Sequence, residues 1–159
     1  MDHASDTKRN KRLEHKKKVE TADANVKVEI PTANVRMEVK FNYFTYEEFD
    51  QPGIPGSGKE KMDTNLIMIL DNMRHRSQLA YKINSGFRTE AYNEKIGGVK
   101  NSSHIKGKAV DIAAPDSKTK FSIIESALHF GIQRIGVGTN FIHIDIDDID
   151  KAAKVCWTY

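Results

Sequence analysis

The sequence predicts an α+β fold in which helices surround a small, mostly antiparallel sheet. Three observations favour this class. Short runs such as 109–112 and 141–146 alternate apolar and polar residues, which is typical of strands with one buried face. Between them lie segments with apolar residues three or four positions apart, as in amphipathic helices. No internal repeat is visible, and strands and helices follow one another irregularly along the chain.

Length and charge divide the chain into a tail and one domain. A chain of 159 residues suits a single domain with its own core. Ten of the 25 basic and seven of the 22 acidic side chains fall in residues 1–40, so residues 41–159 carry no net charge. Bulk electrostatics therefore gives no reason to expect nucleic-acid binding by the domain. The lone Cys156 excludes an internal disulfide.

Residues 1–40 are predicted to be a basic, disordered or extended tail. The first 25 residues contain basic runs with too few apolar partners to fold, and Val26–Lys40 alternates like a strand interrupted by Pro31. The tail is either a solvated leader or a tether to an anionic polymer, lipid headgroups or nucleic acid. No stretch approaches the roughly 20 apolar residues of a membrane span, and no signal peptide is visible. We therefore expect synthesis in the cytoplasm, with release needed for action outside.

The first half of the domain is predicted to pack an aromatic cap and helices beside a strand. The aromatic residues of 41–49 are expected to cover the core, and a Pro/Gly/Ser loop follows. Asp63 and Thr89 have the side chains of helix N-caps and precede helical segments. The predicted elements in this half are a helix after Asp63, a strand over 81–84 and a short helix that ends at Gly97-Gly98.

The second half supplies another helix and the remaining strands. Lys118–Phe130 is predicted to be an amphipathic helix that ends at Gly131. Its expected inward-facing residues are Phe121, Ile124, Ala127 and Leu128. A strand over 133–137 and the strand over 141–146 follow. The acidic residues after them, Asp147, Asp148 and Asp150, are expected to form a solvated turn.

Two strand-like runs and one loop bring together the side chains of a metal site. Because side chains alternate along a strand, Ile142 and Ile144 face the core while His143 and Asp145 face the other way. Asp111 is placed in the same manner. His104 is expected on a loop that turns back beside Asp111. Two histidines and a carboxylate are a ligand set of catalytic zinc sites, so His104, Asp111 and His143 are predicted to bind Zn²⁺.

Each of these three residues also has an ordinary structural explanation when considered alone. A histidine in a polar loop is more often solvated, and an aspartate at a strand end more often caps a turn. A histidine between isoleucines can be a buried, hydrogen-bonded side chain. The combination favours metal. Of the other histidines, His3, His15, His75 and His129 are not assigned to the site.

The segment from Ser102 to Asp111 resembles a known signature. His104-x-x-Gly-x-Ala-x-Asp111, with Ser102 two residues before the histidine, is similar to the motif of the zinc D-Ala-D-Ala carboxypeptidase family, peptidase M15. That family includes phage L-alanyl-D-glutamate endopeptidases and shares its fold with the Hedgehog signalling domain. Further matching segments, in order, are Ser85–Thr89, Tyr92-Asn93, Gly97-Gly98, Asn101-Ser102, His143–Asp145 and Trp157. The resemblance spans about 41–159 and implies a Hedgehog/DD-peptidase-like fold.

The resemblance implies a zinc-dependent peptidase that cleaves peptidoglycan stem peptides. It would act as a D,D-carboxypeptidase or an endopeptidase, for instance as a phage lysin. Arg88 and Ser102 would bind a substrate carboxylate, since guanidinium forms bidentate contacts with carboxylates. A monomer is expected. The alternative is a catalytically inactive domain of the same fold, either metal-bearing and used for binding or structural in a virion.

The position of the general base departs from the family pattern. The family commonly places an acidic residue three positions before the last zinc histidine, and this chain has Asn140 there. The nearest carboxylate predicted to face the same way is Asp145. Asp145 is therefore predicted to be the catalytic base, with orientation of His143 as its alternative role.

Overall fold

A computed structural model describes residues 39–159 of the chain. The predictions for the basic tail therefore lie outside the described residues, apart from the last two positions. Within the described part, no helix is long and apolar enough to cross a membrane.

Helices and strands alternate irregularly, as the sequence predicts. After a 3₁₀ helix at Tyr46–Phe49, the α-helices are α1 (Ser57–Lys61), α2 (Thr64–Ser77), α3 (Glu90–Lys95) and α4 (Ser117–His129). The strands are β1 (Ile83–Ser85), β2 (Ala109–Ala113), β3 (Arg134–Val137), β4 (Phe141–Asp145) and β5 (Val155–Thr158). The predicted N-caps are confirmed, because the side chain of Asp63 accepts from the Asn65 amide and that of Thr89 from the Tyr92 amide.

The five strands form one sheet in the order β1-β2-β4-β3-β5. The pairs β1–β2, β2–β4 and β3–β4 are antiparallel, whereas β3 and β5 are parallel. The predicted α+β class with a mostly antiparallel sheet is therefore confirmed. Asp111 of β2 lies directly opposite His143 of β4, and Gly136 of β3 lies opposite His143 on the other side.

The core lies on the face of the sheet that carries the alternating aliphatic residues. Ile142 and Ile144 of β4 are completely buried there. Helix α2 contributes Leu66, Ile67, Leu70 and Met73. Phe44 and Phe49 are also buried in this cluster, which confirms the predicted aromatic cap. The opposite face of β2 and β4 is thus left to the polar side chains.

The inward face of α4 differs from the prediction. Phe121 and Leu128 are 70% and 61% exposed, whereas Ile123 and Ala127 are completely buried. Two overlapping apolar stripes run along this helix, and its sequence periodicity does not distinguish them. Asp116 caps the N-terminus of the helix by accepting from the Thr119 amide. The helix packs with Ile123 in the core.

Candidate metal centre

The three predicted metal ligands meet on the polar face of the sheet. His143 Nδ1 lies 2.8 Å from Asp111 Oδ1. His104 Nε2 lies 3.3 Å from the same oxygen and 3.3 Å from His143 Nδ1. All three side chains are largely buried, so three potential ligand atoms converge on one small volume.

These separations fit a tetrahedral metal ion. Ligand atoms about 2.0–2.1 Å from a tetrahedral zinc ion are about 3.3 Å apart. Two of the three observed separations equal that value, and the Asp111–His143 separation of 2.8 Å needs a small opening. Two imidazole nitrogens and a carboxylate oxygen are borderline and hard donors that suit Zn²⁺. The residues therefore fit a metal of this type.

The loop before β2 holds His104 in place. Gly107 has a φ of +67°, and a Cβ there would collide with the Lys61 carbonyl oxygen, so the turn requires glycine. The ring Nδ1 of His104 lies 2.7 Å from the Gly86 carbonyl oxygen, to which it can only donate. This bond fixes the tautomer and leaves the lone pair on Nε2 for a metal. The predicted turn beside Asp111 is confirmed.

His143 is oriented through its other nitrogen. Its Nε2 lies 3.2 Å from Asp145 Oδ2, while Nδ1 faces the ligand cluster. Asp145 is in turn held by Arg134, whose Nε donates to Oδ1 at 2.7 Å. The Asp147 amide also donates to Oδ1. A carboxylate behind a metal-binding histidine is the usual arrangement that fixes its ring and raises its basicity.

Asp111 divides its two oxygens between the histidines and an arginine. Its Oδ1 faces His104 and His143, and its Oδ2 accepts from Arg88 Nη2 at 2.5 Å. Arg88 Nε also donates to Ser85 Oγ at 2.8 Å. Burial raises the pKa of Asp111, but the bonds from the two histidines outweigh burial and hold its pKa well below the ordinary value. Asp111 is therefore ionised, as a metal ligand must be.

The two histidines differ in their affinity for protons. Burial lowers the pKa of His104, and the contact with Asp111 does not compensate for it. Burial has the same effect on His143, but its hydrogen bonds with Asp111 and Asp145 outweigh it and raise the pKa of His143. In the metal-free protein His143 therefore holds a proton more tightly than His104 does, so metal binding competes with protonation mainly at His143.

The cluster lies in a cleft of about 490 Å³. All six predicted site residues line it, namely Arg88, Ser102, His104, Asp111, His143 and Asp145. One wall is formed by the loop Ile96–Val99. Another wall is aromatic, with the Trp157 ring centroid 5.5 Å from that of His143 and Tyr159 next to it. The cleft thus leaves room for a ligand beside the three metal-facing atoms.

Several residues of the cleft were not singled out from the sequence as site residues. Arg134 and Lys151 also line it, and Ser103 lies next to His104. The prediction of a solvated turn after β4 is wrong for Asp147, which is completely buried and contacts Ser103 and Lys106. The neighbouring Asp148 is exposed. The sequence signal that could have indicated a site role for Arg134 is a basic residue at the first position of an apolar strand.

Comparison with known proteins identifies the family. Residues 42–145, well over half of the chain, match the sequence model of the family described as Peptidase M15. The chain belongs to the peptidase M15 family. The resemblance inferred from the motifs is thereby confirmed, and the matched segment of this M15 chain contains both histidines and the aspartate of the cluster.

Other comparisons give weaker similarities. A similar solved structure is the Serratia marcescens L-Ala D-Glu endopeptidase ChiX, with a TM-score of 0.45 and 16% sequence identity. The similarity covers 57% of the M15 chain and 84% of that structure. No curated protein sequence matches the chain.

Proposed function

We propose that this M15 protein is a zinc-dependent peptidase that hydrolyses a peptide bond in peptidoglycan stem peptides. One observation carries the proposal: the ligand atoms of His104, Asp111 and His143 are spaced 2.8–3.3 Å apart inside a cleft. Membership of the peptidase M15 family supports it. Cleavage between D-alanines and cleavage within the stem both fit such a centre.

The chain's own residues hold the metal and place the substrate. When bound, Zn²⁺ supplies Lewis acidity toward the scissile carbonyl and lowers the pKa of water toward neutrality. His104, Asp111 and His143 would hold the ion. Arg88 uses two of its five N–H donors on Ser85 and Asp111, so donors remain for a substrate carboxylate. Ser102 lines the same cleft and would add a hydroxyl donor.

Asp145 has two possible roles, and its contacts favour orientation of His143. It is only 2% exposed, and its oxygens already accept from Arg134, His143 and the Asp147 amide. It also lies on the Nε2 side of His143, away from Nδ1, which faces the other ligands. A general base must lie within hydrogen-bond reach of the proton that it removes. We therefore propose that Asp145 positions His143, with the base role as the competing hypothesis.

Mass spectrometry of muropeptides tests the function. Purified peptidoglycan is digested with zinc-loaded protein, with chelated protein and with His104→Ala. We expect new peptide fragments only from the zinc-loaded native chain, and the mass of the fragments identifies the bond that is cut. His129→Ala is the matched control, because His129 is exposed at the end of α4. Intact muropeptides after treatment with zinc-loaded native protein would refute the peptidase proposal.

A metal-bearing binding domain is the second candidate. Asn140 stands where the family commonly has an acidic residue, and among residues 39–159 the acids that line the cleft are Asp111 and Asp145, both already engaged. If zinc binds at one equivalent and stem peptides bind without being cut, this candidate replaces the enzyme. Equilibrium binding of the same peptides distinguishes the two.

The place of action follows from the substrate and belongs to the same proposal. Peptidoglycan lies outside the cytoplasmic membrane, and we propose that the protein reaches it by release from the cell, as a phage lysin does during lysis. Detection of the protein in lysates but not in the medium of intact producing cells would support this route. Detection in the medium before lysis would contradict it.

A further inference from the structure

Three cations line the cleft within the described part of the chain, and they are not equally engaged. Arg88 lies 2.5 Å from Asp111, and Arg134 lies 2.7 Å from Asp145. The third, Lys151, has its nearest carboxylate oxygen, Asp147 Oδ2, at 3.6 Å. Lys151 is therefore the cation with the loosest ion pair at the wall of the cleft.

Asp147 has a closer ionic partner than Lys151. Lys106 Nζ lies 3.1 Å from its Oδ1 and 2.9 Å from its Oδ2, and Ser103 Oγ donates to Oδ2 at 3.2 Å. Neither Lys106 nor Asp147 belongs to the lining of the cleft, whereas Lys151 and Ser103 do. Lys106 also lies 2.8 Å from Asp150 Oδ2, so the two lysines share the charges of Asp147 and Asp150. Of these four residues, Lys151 is the one that lines the cleft.

Lys151 is also fixed in position beside the metal-facing residues. Its Nζ donates to Ser103 Oγ at 2.7 Å, and Ser103 directly precedes His104. The next residue, Ala152, accepts from Arg134 Nη1 through its carbonyl oxygen. An ammonium group has three N–H donors, and Ser103 and Asp147 account for two of them. A preorganised donor loses little conformational entropy when a ligand binds.

We propose that Lys151 binds a carboxylate of the substrate and makes the peptidase selective for anionic stem peptides. This inference rests on the proposed function, because it assigns a specificity residue to the same cleft. Stem peptides offer two kinds of carboxylate, the side carboxyl of the D-glutamyl residue and the chain terminus. Both share the chemistry that an ammonium group recognises.

The expected size of the effect follows from the strength of charge-assisted hydrogen bonds. Loss of one such bond weakens binding by roughly tenfold to a hundredfold. We therefore expect Lys151→Gln to raise KM for an anionic peptide by that factor while kcat changes little. For a peptide whose carboxyls are all amides, the variant and the native protein should have similar KM values.

The test uses one pentapeptide, L-Ala-γ-D-Glu-L-Lys-D-Ala-D-Ala, in four forms. Both carboxyls are free, both are amidated, or one of the two is amidated. The variants are Lys151→Gln, Lys151→Arg and, as the matched control, Lys118→Gln, which removes an exposed lysine that does not line the cleft. Because Arg88 is proposed to bind a carboxylate as well, we expect Lys151→Gln to lose the preference for one of the two free carboxyls. Lys151→Arg should retain most of that preference and Lys118→Gln all of it. The singly amidated forms then identify which carboxylate Lys151 binds.

Binding separates failure of this inference from failure of the proposed function. Trp157 is the only tryptophan of the chain and lines the cleft, so its fluorescence reports peptide binding without turnover. If no form is cut, the peptidase proposal fails, and the fluorescence titrations still decide the role of Lys151. Equal affinity of the native protein for the free and doubly amidated peptides would overturn the inference, even if Lys151→Gln does not fold. An equal loss of affinity for the free and the doubly amidated peptide in Lys151→Gln would also overturn it.

Discussion

At the scale of single residues, each histidine of the candidate centre is oriented by a hydrogen bond at one ring nitrogen, which leaves the other nitrogen to face the cluster. His104 donates Nδ1 to a backbone carbonyl, and His143 directs Nε2 to a carboxylate. The two rings therefore present different nitrogens, Nε2 and Nδ1, to one point. Asp145 is the group in this arrangement whose role mutation can decide.

We expect Asp145→Asn to weaken zinc binding by roughly tenfold to a hundredfold, because His143 loses its anionic partner. Competition with a chromogenic chelator measures the affinity. Asp148→Asn is the control, since Asp148 is an exposed acid three residues away. Unchanged zinc affinity together with lost turnover would instead identify Asp145 as the general base.

Acid should destabilise the metal-free protein through Asp111 and Asp145. Burial raises the pKa of each, but hydrogen bonds outweigh burial and hold both below the ordinary value of 3.8. A lowered folded-state pKa gives stability that is present above 3.8 and is lost as pH falls through the folded value. Urea unfolding should show the free energy of unfolding decreasing below about pH 4, by up to about 1.4 kcal/mol per pH unit for each group. Asp145→Asn should have a shallower decrease, and an equal slope would contradict the assignment.

At the scale of elements, α4 and β3 fix what the sheet presents on its two faces. Helix α4 buries Ile123 and Ala127 on the core side. Strand β3 carries Gly136 on the side of His143, where a Cβ would meet the rings of Tyr159 and Trp157 at 2.7 and 2.8 Å. The absence of a side chain at this position lets the aromatic wall approach the metal-facing residues.

The observed orientation of α4 predicts unequal effects of two truncations. Ile123→Ala should lower the free energy of unfolding by about 2–5 kcal/mol, because it opens a cavity in the core. Phe121→Ala removes a larger side chain but should change it by no more than about 0.5 kcal/mol, because Phe121 is exposed. Urea denaturation of both variants measures this. A larger loss of stability in Phe121→Ala than in Ile123→Ala would mean that Phe121 faces the core, as the sequence periodicity suggests.

Gly136→Ala should displace the aromatic wall. We expect a loss of about 1–3 kcal/mol in the free energy of unfolding from overpacking and a shift of Trp157 fluorescence. Val137→Ala in the same strand is the control, since it also lowers stability without a new contact to Trp157. An unchanged emission spectrum in Gly136→Ala would mean that the ring does not occupy the observed position.

At the scale of the whole molecule, zinc should act as a folding ligand. Binding only to the folded chain adds about 4 kcal/mol when the free metal is a thousandfold above its Kd. For a domain of this size, each kcal/mol raises Tm by about 2–4 °C. Thermal unfolding should show this increase for the native chain and for His75→Ala, whose ring lies outside the site beside Tyr43. His143→Ala should show none, and an equal increase in that variant would place the metal elsewhere.

Much of this arrangement is predictable from local patterns. Alternation placed His143 opposite the isoleucines, and Gly107 marked the turn that returns His104 to Asp111. Each of these signals lies within a short run of neighbouring residues. The family motifs extended them to the whole domain, and the α+β class and family membership are confirmed.

The unpredicted features all depend on contacts between distant parts of the chain. Asp147 is buried because Lys106 and Ser103 reach it from more than 40 positions away, and nothing in a run of acids signals such partners. Arg134 meets Asp145 only because β3 and β4 pair in one register. The face of α4 was ambiguous for the same reason, since packing on the sheet and not periodicity selected it.

Asp111 and His143 are directly paired residues of β2 and β4, so the metal site forms only when these strands pair in the observed register. A slip by one residue would put Ile142 or Ile144 where the imidazole belongs and turn the ring into the core. Molecules paired in the wrong register would then have no place for the ion. The molar metal content of a preparation therefore counts the chains whose strands are correctly aligned.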